Sequence, residues 1–339
     1  MKPQPEVISN ADVSALSTFR LPARAAELAI LDSVEQCPAL THAEGNELVL
    51  GGGSNTVFLG DYPGRILLNR IRGLAFEECG EDVLVTAAAG ENWHRLVRAC
   101  IDRRLHGLEN LIMIPGSVGA APMQNIGAYG MELSEVFERL DAWDRDEQRM
   151  VTFEKPDCAF GYRDSHLKST EPGRFLVTSV TLRLSRRFQP RVGYASLAEA
   201  LLQAGIERPT SRQLAATVMQ LRRHRLPDPS RLPNAGSFFK NPLVKASRAE
   251  ALIADHPELL HWPMPNGMIK LGAGRMIELL GWKGKSIGDA AVYPNHALVL
   301  VNRGRATAAE LLQLIEAIQT SVEDAFGLRL EPEPRLIGS

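Results

Sequence analysis

Apolar residues recur along this chain at two spacings, and each predicts its own kind of element. Trp93, Leu96, Val97, Cys100, Ile101 and Leu105 follow the i, i+3, i+4, i+7, i+8 rhythm of a helix buried on one side, and Asn92 stands where its cap belongs. His94 falls off that stripe and is expected in solvent. Leu311, Leu314, Ile315, Ile318 and Val322 write a second such face, opened by Thr307 and Glu310 as a capping box and closed by Gly327. Thr210 with Gln213 opens a helix through Leu214, Val218 and Leu221 that must stop near the LPDP run at 226–229, and Ser247 with Glu250 predicts one more helix start. Alternating or continuous apolar runs at 83–90, 139–144, 176–184 and 298–301 predict strands, with shorter ones at 28–31, 48–50 and 66–68. The run from 25 to 34 suits a strand better than a helix. Residues 1–17 are polar and read as a loosely held arm. Pro332 and Pro334 exclude a central strand position at 330–335.

Between these elements lie stretches that neither rhythm describes. The longest is 114–130, IPGSVGAAPMQNIGAYG, with glycines at 116, 119, 127 and 130 that allow close backbone approach and prolines at 115 and 122 that stiffen the path. Its low polarity argues against disorder, leaving a tight loop or backbone laid against a flat or anionic ligand. At 49–56 an apolar run enters GGGSNT, whose consecutive N–H groups would form an anion nest. A dinucleotide fingerprint G-x-G-x-x-G would need glycine where Thr56 stands, and the Walker pattern fails too. A tight turn and a phosphate cradle both remain open there. FGYRDS at 160–165 presents one arginine, and NAGSFFKNP at 234–242 is another glycine-containing turn.

Composition narrows the classes. With 339 residues, 45% hydrophobic and 23% charged, the chain can bury a large core in two or three domains. Its 38 basic and 40 acidic residues leave no excess of positive charge to track a nucleic acid. Cys37, Cys79, Cys100 and Cys158 lie far apart, which indicates neither a zinc site nor a disulfide framework, and no metal is expected. No apolar run approaches the roughly 18 residues of a membrane span, and the start lacks a signal peptide's apolar segment, so a cytoplasmic protein away from membranes is expected.

Taken in order, GGGSN at 51–55, GENWHRLV at 90–97, PGSVGAAPMQNIGAYG at 115–130, FGYRDS at 160–165, LPDP at 226–229, NAGSFFKNP at 234–242 and LEPE at 330–333 resemble the UDP-N-acetylenolpyruvoylglucosamine reductase family from about residue 18 to 337. The resemblance implies an α+β protein: a two-subdomain FAD-binding fold of the vanillyl-alcohol oxidase type plus a separate α+β substrate-binding domain. The expected boundaries are 1–72 for the first FAD-binding subdomain, 73–208 for the second and 209–327 for the substrate domain, with 328–339 returning towards the active site. The QPRVGY segment at 189–194, followed by a helix from about 196 to 204, resembles the insertion of type I members, whose tyrosine closes over the substrate. Here that residue is Tyr194.

The activity so implied is NADPH-dependent reduction, through FAD, of UDP-N-acetylglucosamine enolpyruvate by a monomeric enzyme. FAD contacts fall on Gly51, Gly52, Gly53, Ser54, Asn55, Pro115, Gly116, Ser117, Gly119, Ala120, Gln124, Asn125 and Gly127, with backbone amides between about 116 and 127 as donors. Arg163 would meet the substrate carboxylate as a bidentate fork, Ser237 would donate the proton, and Glu333 would be the active-site glutamate, protonated or paired with a cation. Tyr194, Arg225, Asn241 and Lys283 would hold the UDP group. Arg225 stands where a member of the family has lysine, and His296 where that member has glutamine. Standing alone, Arg163 reads as a surface charge, Ser237 as a turn serine and Glu333 as solvated, with Glu331 beside it for comparison. A flavin oxidase of the same fold and a non-catalytic nucleotide-sugar-binding protein are the rival readings.

Overall fold

The alternation at 176–184 lies within the strand Phe175–Ser185, the centre of a five-stranded antiparallel sheet. The computed structural model describes residues 4–39, 47–264 and 266–338. The sheet runs in the order Arg149–Glu154, Phe137–Asp144, Phe175–Ser185, Asp82–Ala88, Leu74–Cys79, with Val180 opposite Ala87 and Leu182 opposite Val85. The helix Trp93–Asp102 starts where Asn92 accepts the Arg95 N–H at 3.0 Å. It buries Trp93, Leu96, Val97, Cys100 and Ile101 in the same core as Val83, Val85, Leu182 and Leu214.

A second sheet orders Glu6–Asp12, Arg24–Leu31, Tyr62–Asn69 and Glu47–Leu50, the last two parallel, with Val49 opposite Leu67. The strand preferred for 25–34 is therefore present. The loosely held arm is corrected: among its described residues it forms the edge strand Glu6–Asp12 and a short 3-10 turn, Ser14–Leu16. Nearly all of that strand is exposed, so its backbone ladder holds it and leaves no apolar rhythm in the sequence. The edge strands Leu74–Cys79 and Arg149–Glu154 escaped notice for the same reason, being mostly exposed or half-buried. Asn69 donates its amide to the Val177 carbonyl at 2.8 Å, and Leu67, Ala29, Trp143 and Leu176 pack between the two sheets.

These elements belong to one unit, Met1–Ala11, Ala25–Gly52 and Pro63–Arg222; Asp12–Arg24, Gly53–Tyr62 and Arg223–Ser339 form another. Along the chain the division between these two units falls at 11, 24, 52, 62 and 222. It follows chain that leaves and returns: Thr18 N–H donates to the Gly53 carbonyl, Ser17 Oγ to the Thr56 carbonyl at 2.6 Å, and Thr18 Oγ1 to the Asn234 carbonyl at 2.6 Å.

In the second unit a four-stranded sheet orders Asn234–Ser237, Val299–Asn302, Ala290–Val292 and Ser286–Ile287. The helix Ala308–Phe326 packs beside it, with the Thr307 and Glu310 capping box formed in both directions and Gly327 left-handed at φ 62°. Leu311, Leu314, Ile315, Ile318 and Val322 face Phe238, Phe239 and Met276 in one core. Helix Ser211–Arg225, which runs past the chain division at 222, likewise starts on a reciprocal Thr210 and Gln213 box. The Ser247 box is not formed: the helix Ala246–Asp255 follows directly on the strand Leu243–Lys245, whose pairing with Met268–Leu271 sets its start and leaves Ser247 inside. The terminal strand Arg335–Ile337 runs parallel to Thr56–Phe58.

Candidate active site

The two glycine-rich stretches of the first unit meet backbone to backbone. A Cβ on Gly51 would lie 2.2 Å from Ser117 Oγ, and one on Gly52 would lie 2.6 Å from the Gly116 Cα, so only glycine permits this approach. Gly119 is packed as closely on Ala89, where an added Cβ would stand 2.5 Å from the alanine's own. Several amides of the long stretch are used internally: Val118, Gly119, Ala120, Ala121 and Ile126 donate to the carbonyls of Glu91, Ala89, Ser117, Val118 and Ala121. The expectation of amide donors throughout 116–127 is therefore narrowed. No hydrogen bond from the N–H of Gly52, Gly116 or Ser117 is found among the described residues, and Ser117 Oγ is buried without a partner. A bare backbone cradle with an orphaned buried hydroxyl suits a ligand bearing anionic acceptor oxygens, such as a dinucleotide pyrophosphate.

The far end of the stretch is tied to the FGYRDS turn. Ser165 Oγ donates to the Met123 carbonyl at 2.8 Å, Arg163 Nη2 to the Gly127 carbonyl at 3.0 Å, and Lys168 Nζ to the Arg163 carbonyl at 2.7 Å. Arg163 adopts φ 56°, uncommon for a residue with a side chain, and its guanidinium lies over the Tyr162 ring at 5.5 Å. Asn125 is 1% exposed, and both its amide hydrogens are used within the protein, towards Glu132 and the Gly161 carbonyl. Its side chain thus has no donor left for a cofactor. Pro115 is exposed; Gly127, Ala120 and Gln124 are half-buried along the same path.

In the second unit the glycine turn continues into Gly53, whose φ of 62° and close approach to the Leu16 carbonyl leave no room for a Cβ. Ser54 and Asn55 follow, half-buried. Asn55 accepts the Arg335 N–H on its carbonyl and donates its side-chain amide to the Glu333 carbonyl at 3.2 Å. Phe239 and Pro332 form an antiparallel bridge, Glu333 N–H donates to the Phe238 carbonyl and Lys240 N–H to the Glu331 carbonyl. This short ladder sets Glu333 opposite the neighbour of Ser237, so the candidate proton donor and carboxylate arise from adjacent extended segments. Ser237 is half-buried at the end of Asn234–Ser237, after Gly236 at φ 73°. Glu331 faces solvent and pairs with Lys240 at 3.0 Å. The two glutamates of LEPE are therefore differently employed.

The candidate UDP residues are divided between the units. Tyr194, in the first, ends the QPRVGY loop at the start of helix Ala195–Gln203; it is 39% exposed and packs edge-on against Tyr129 at 5.4 Å. In the second, Arg225 ends the helix Ser211–Arg225. Asn241 is half-buried, and its Oδ1 accepts the Ala273 N–H at 3.0 Å, which commits the oxygen of its amide to the protein. Lys283 pairs with Glu278 at 3.1 Å, and this ammonium is the largest influence holding the Glu278 carboxyl below its ordinary range. His296 Nδ1 accepts the Leu298 N–H at 3.3 Å, which assigns that nitrogen to the local turn.

Sequence reading passed over two residues and misplaced a third. Asn110, 2% exposed, donates to the carbonyls of both Tyr129 and Arg191, at 2.9 Å each, and so ties the Tyr194 loop to the long stretch. Arg222 keeps a buried Nε without a hydrogen-bond partner, and burial lowers its pKa. His94, expected in solvent, is half-buried and accepts the Met113 N–H at 3.3 Å. A single asparagine in a short turn, or an arginine within a helix, adds nothing to an apolar rhythm, so only its surroundings reveal its role. Among the described residues no cluster of His, Cys, Asp or Glu could hold a metal, and no helix is long and apolar enough to cross a membrane.

Comparison with known proteins bears on both halves. Residues 31–152 match the FAD binding domain model, and residues 228–337 match the model described as UDP-N-acetylenolpyruvoylglucosamine reductase, C-terminal domain. The chain is 47% identical over 337 residues to the UDP-N-acetylenolpyruvoylglucosamine reductase of Azoarcus sp., covering 97% of each chain. It is 46% identical to the enzyme of that name from Burkholderia ambifaria, covering 94% of this chain and 91% of the other. The crystal structure of UDP-N-acetylenolpyruvylglucosamine reductase from Thermus caldophilus superposes with a TM-score of 0.68 at 25% identity, covering 99% of each chain.

Proposed function

Because the chain belongs to the UDP-N-acetylenolpyruvoylglucosamine reductase family, we propose that Arg163, Ser237 and Glu333 carry the chemistry of that family's reaction here. The chain is an FAD-dependent oxidoreductase of α+β fold that reduces UDP-N-acetylglucosamine enolpyruvate with NADPH to UDP-N-acetylmuramate, in peptidoglycan precursor synthesis. What carries this reading is similarity extending over 97% of both chains, so that cofactor-binding and C-terminal segments occur together in one chain.

The residues present fit FAD. Gly51, Gly52, Gly53, Ser54 and Asn55 would hold its pyrophosphate together with Gly116 and Ser117, while Pro115, Gly119, Ala120, Gln124 and Gly127 would flank it through backbone and small side chains. FAD, when bound and reduced by NADPH, supplies the hydride. Everything else falls to the chain. Reduction of the vinyl group adds a hydride at its terminal carbon and a proton at the carbon next to the carboxylate, so negative charge develops on that carboxylate. Arg163, its guanidinium anchored on the Gly127 carbonyl, offers a planar cation able to bind both oxygens. Ser237 gives its hydroxyl proton to the adjacent carbon; a serine is a weak acid, so it serves only against a strongly basic centre and in a fixed position. Glu333 has to be protonated or matched by a cation, since a bare carboxylate would oppose the charge being formed.

For the diphosphate, Arg225 and Lys283 contribute positive charge, Asn241 contributes amide donors while its oxygen is held by the Ala273 N–H, and Tyr194 closes its loop over the substrate. The two FAD-binding subdomains and the substrate domain are assigned to 1–72, 73–208 and 209–327, with 328–339 carrying Glu333. The enzyme acts as a cytoplasmic monomer on a nucleotide sugar, without nucleic acid or membrane. The test is optical. Purified protein should show flavin absorbance that NADPH bleaches anaerobically and UDP-N-acetylglucosamine enolpyruvate restores; protein that stays colourless after addition of FAD would remove the reading.

A further inference from the structure

We propose that Asn125 is a positioning residue for Arg163: its buried carboxamide locks the FGYRDS turn to the 114–130 stretch and so sets the guanidinium in place. The proposal rests on the reading of Arg163 as the fork for the substrate carboxylate. The carboxamide has two donor hydrogens, and both are spent, one on Glu132 Oε2 at 2.8 Å and one on the Gly161 carbonyl at 3.2 Å. Its oxygen accepts the Ser134 N–H at 2.9 Å. Three segments therefore converge on one side chain: the hairpin Gly127–Ala128 with Met131–Glu132, the 3-10 turn Leu133–Glu135, and the turn that carries Arg163.

The geometry links this knot directly to Arg163. Gly161 and Asp164 bridge one another across the turn, so the carbonyl held by Asn125 lies at the base of the loop whose apex is Tyr162 and Arg163. On the other side, Gly127, whose carbonyl receives Arg163 Nη2, lies two residues beyond Asn125 and stands opposite Glu132 in the hairpin, and the Glu132 carboxylate accepts from Asn125. One side chain thus fixes both the start and the landing point of the arginine. Asn125 holds this position at φ 42°, a left-handed conformation that asparagine tolerates better than most residues, which accounts for the residue type beyond its hydrogen bonds. A side chain 1% exposed with its donors spent inside the protein is poorly placed to donate to a cofactor.

The experiment compares the two half-reactions by anaerobic stopped flow. Asn125→Gly removes the carboxamide without straining the left-handed backbone. It should slow flavin reoxidation by the enolpyruvyl substrate about 10- to 100-fold, the loss expected when a reacting group shifts by about 1 Å, and leave flavin reduction by NADPH unchanged. The double variant Asn125→Gly/Arg163→Ala should be no slower than Arg163→Ala alone, because the first change acts through the second residue. Additive losses, equal slowing of both half-reactions, or unchanged reoxidation would each overturn the proposal. If Arg163→Ala itself leaves reoxidation unchanged, the reading of Arg163 fails instead, and the two failures are told apart. Glu132 supplies a second route should Asn125→Gly fail to hold flavin. Glu132→Gln keeps an acceptor for Asn125 and should reoxidise normally, whereas Glu132→Ala should reproduce the reoxidation defect; equal behaviour of these two variants would count against the knot.

Discussion

Asn55 donates its side-chain amide to the carbonyl oxygen of Glu333 at 3.2 Å, so a residue of the glycine turn fixes the backbone bearing the candidate active-site carboxylate. Asn55→Asp keeps the shape and removes the donor. It should slow reoxidation of the flavin by substrate about 10-fold, as small displacements of a reacting group do, while NADPH reduces the flavin at its former rate. Equal slowing of both half-reactions would show that Asn55 serves the cofactor rather than Glu333.

Ser237→Ala should leave bleaching by NADPH intact and cut reoxidation by about 10²- to 10⁴-fold, the range for loss of a positioned acid. Arg163→Lys should impair the same half-reaction, because a point charge cannot reproduce a planar fork anchored on the Gly127 carbonyl. Single-turnover absorbance traces check both, and a serine variant equally slow in both halves would show that Ser237 is not the proton donor.

Gly52→Ala should weaken FAD. Its Cβ would stand 2.6 Å from the Gly116 Cα, and moving backbone costs about 1–3 kcal/mol, roughly a 10-fold loss of affinity or more. Gly80→Ala makes a useful contrast: an added Cβ there meets nothing within 4 Å, although φ 65° adds backbone strain. Flavin fluorescence titration of the apoprotein measures each, and tight binding by Gly52→Ala would exclude the cradle.

The thiols give a pH prediction. Burial pushes Cys37, Cys100 and Cys158 up from 9.0 to about 12, whereas Cys79 is half-exposed and accepts a hydrogen bond from Arg183 at 3.3 Å. A thiol whose pKa is raised by folding keeps its proton in the native state while the unfolded chain loses it. Stability from these groups is therefore fully present below pH 9.0 and lost as pH rises towards 12. Denaturant unfolding across that window should show the decline. At pH 8 a thiol reagent should label native protein at Cys79 alone, and Cys79→Ser should abolish the reaction.

Thr307→Ala removes one half of a formed capping box, Thr307 Oγ1 accepting the Glu310 N–H at 3.2 Å, and should cost about 1 kcal/mol in chemical denaturation. Ser247→Ala should cost less than a cap would, since Ser247 lies within its helix.

These contrasts show where sequence was legible. Thr307, Thr210 and Asn92 stand beside long one-sided apolar faces, so local hydrogen bonding and burial favour the same helix start. Ser247 has the same local signal, but pairing of Leu243–Lys245 with Met268–Leu271 overrode it. Edge strands such as Glu6–Asp12 remained hidden because their stability comes from ladder hydrogen bonds and not from an apolar rhythm. For the site, motif order was enough to indicate the family and the residue types its chemistry uses. It did not reveal that Asn125 is tied up inside the protein, that Asn110 braces the Tyr194 loop, or that Asn55 supports Glu333.

The sequence by itself determined the periodic elements, the family and its chemistry, because burial rhythm, caps and ordered motifs are local or linear properties of the chain. Only the tertiary structure decided which amides of 114–130 are already used, which side chains hold others in place, and where the chain divides between its units. A hydrogen-bond donor is available or spent according to the partner it meets, and that partner can lie 278 positions away, as Glu333 does from Asn55.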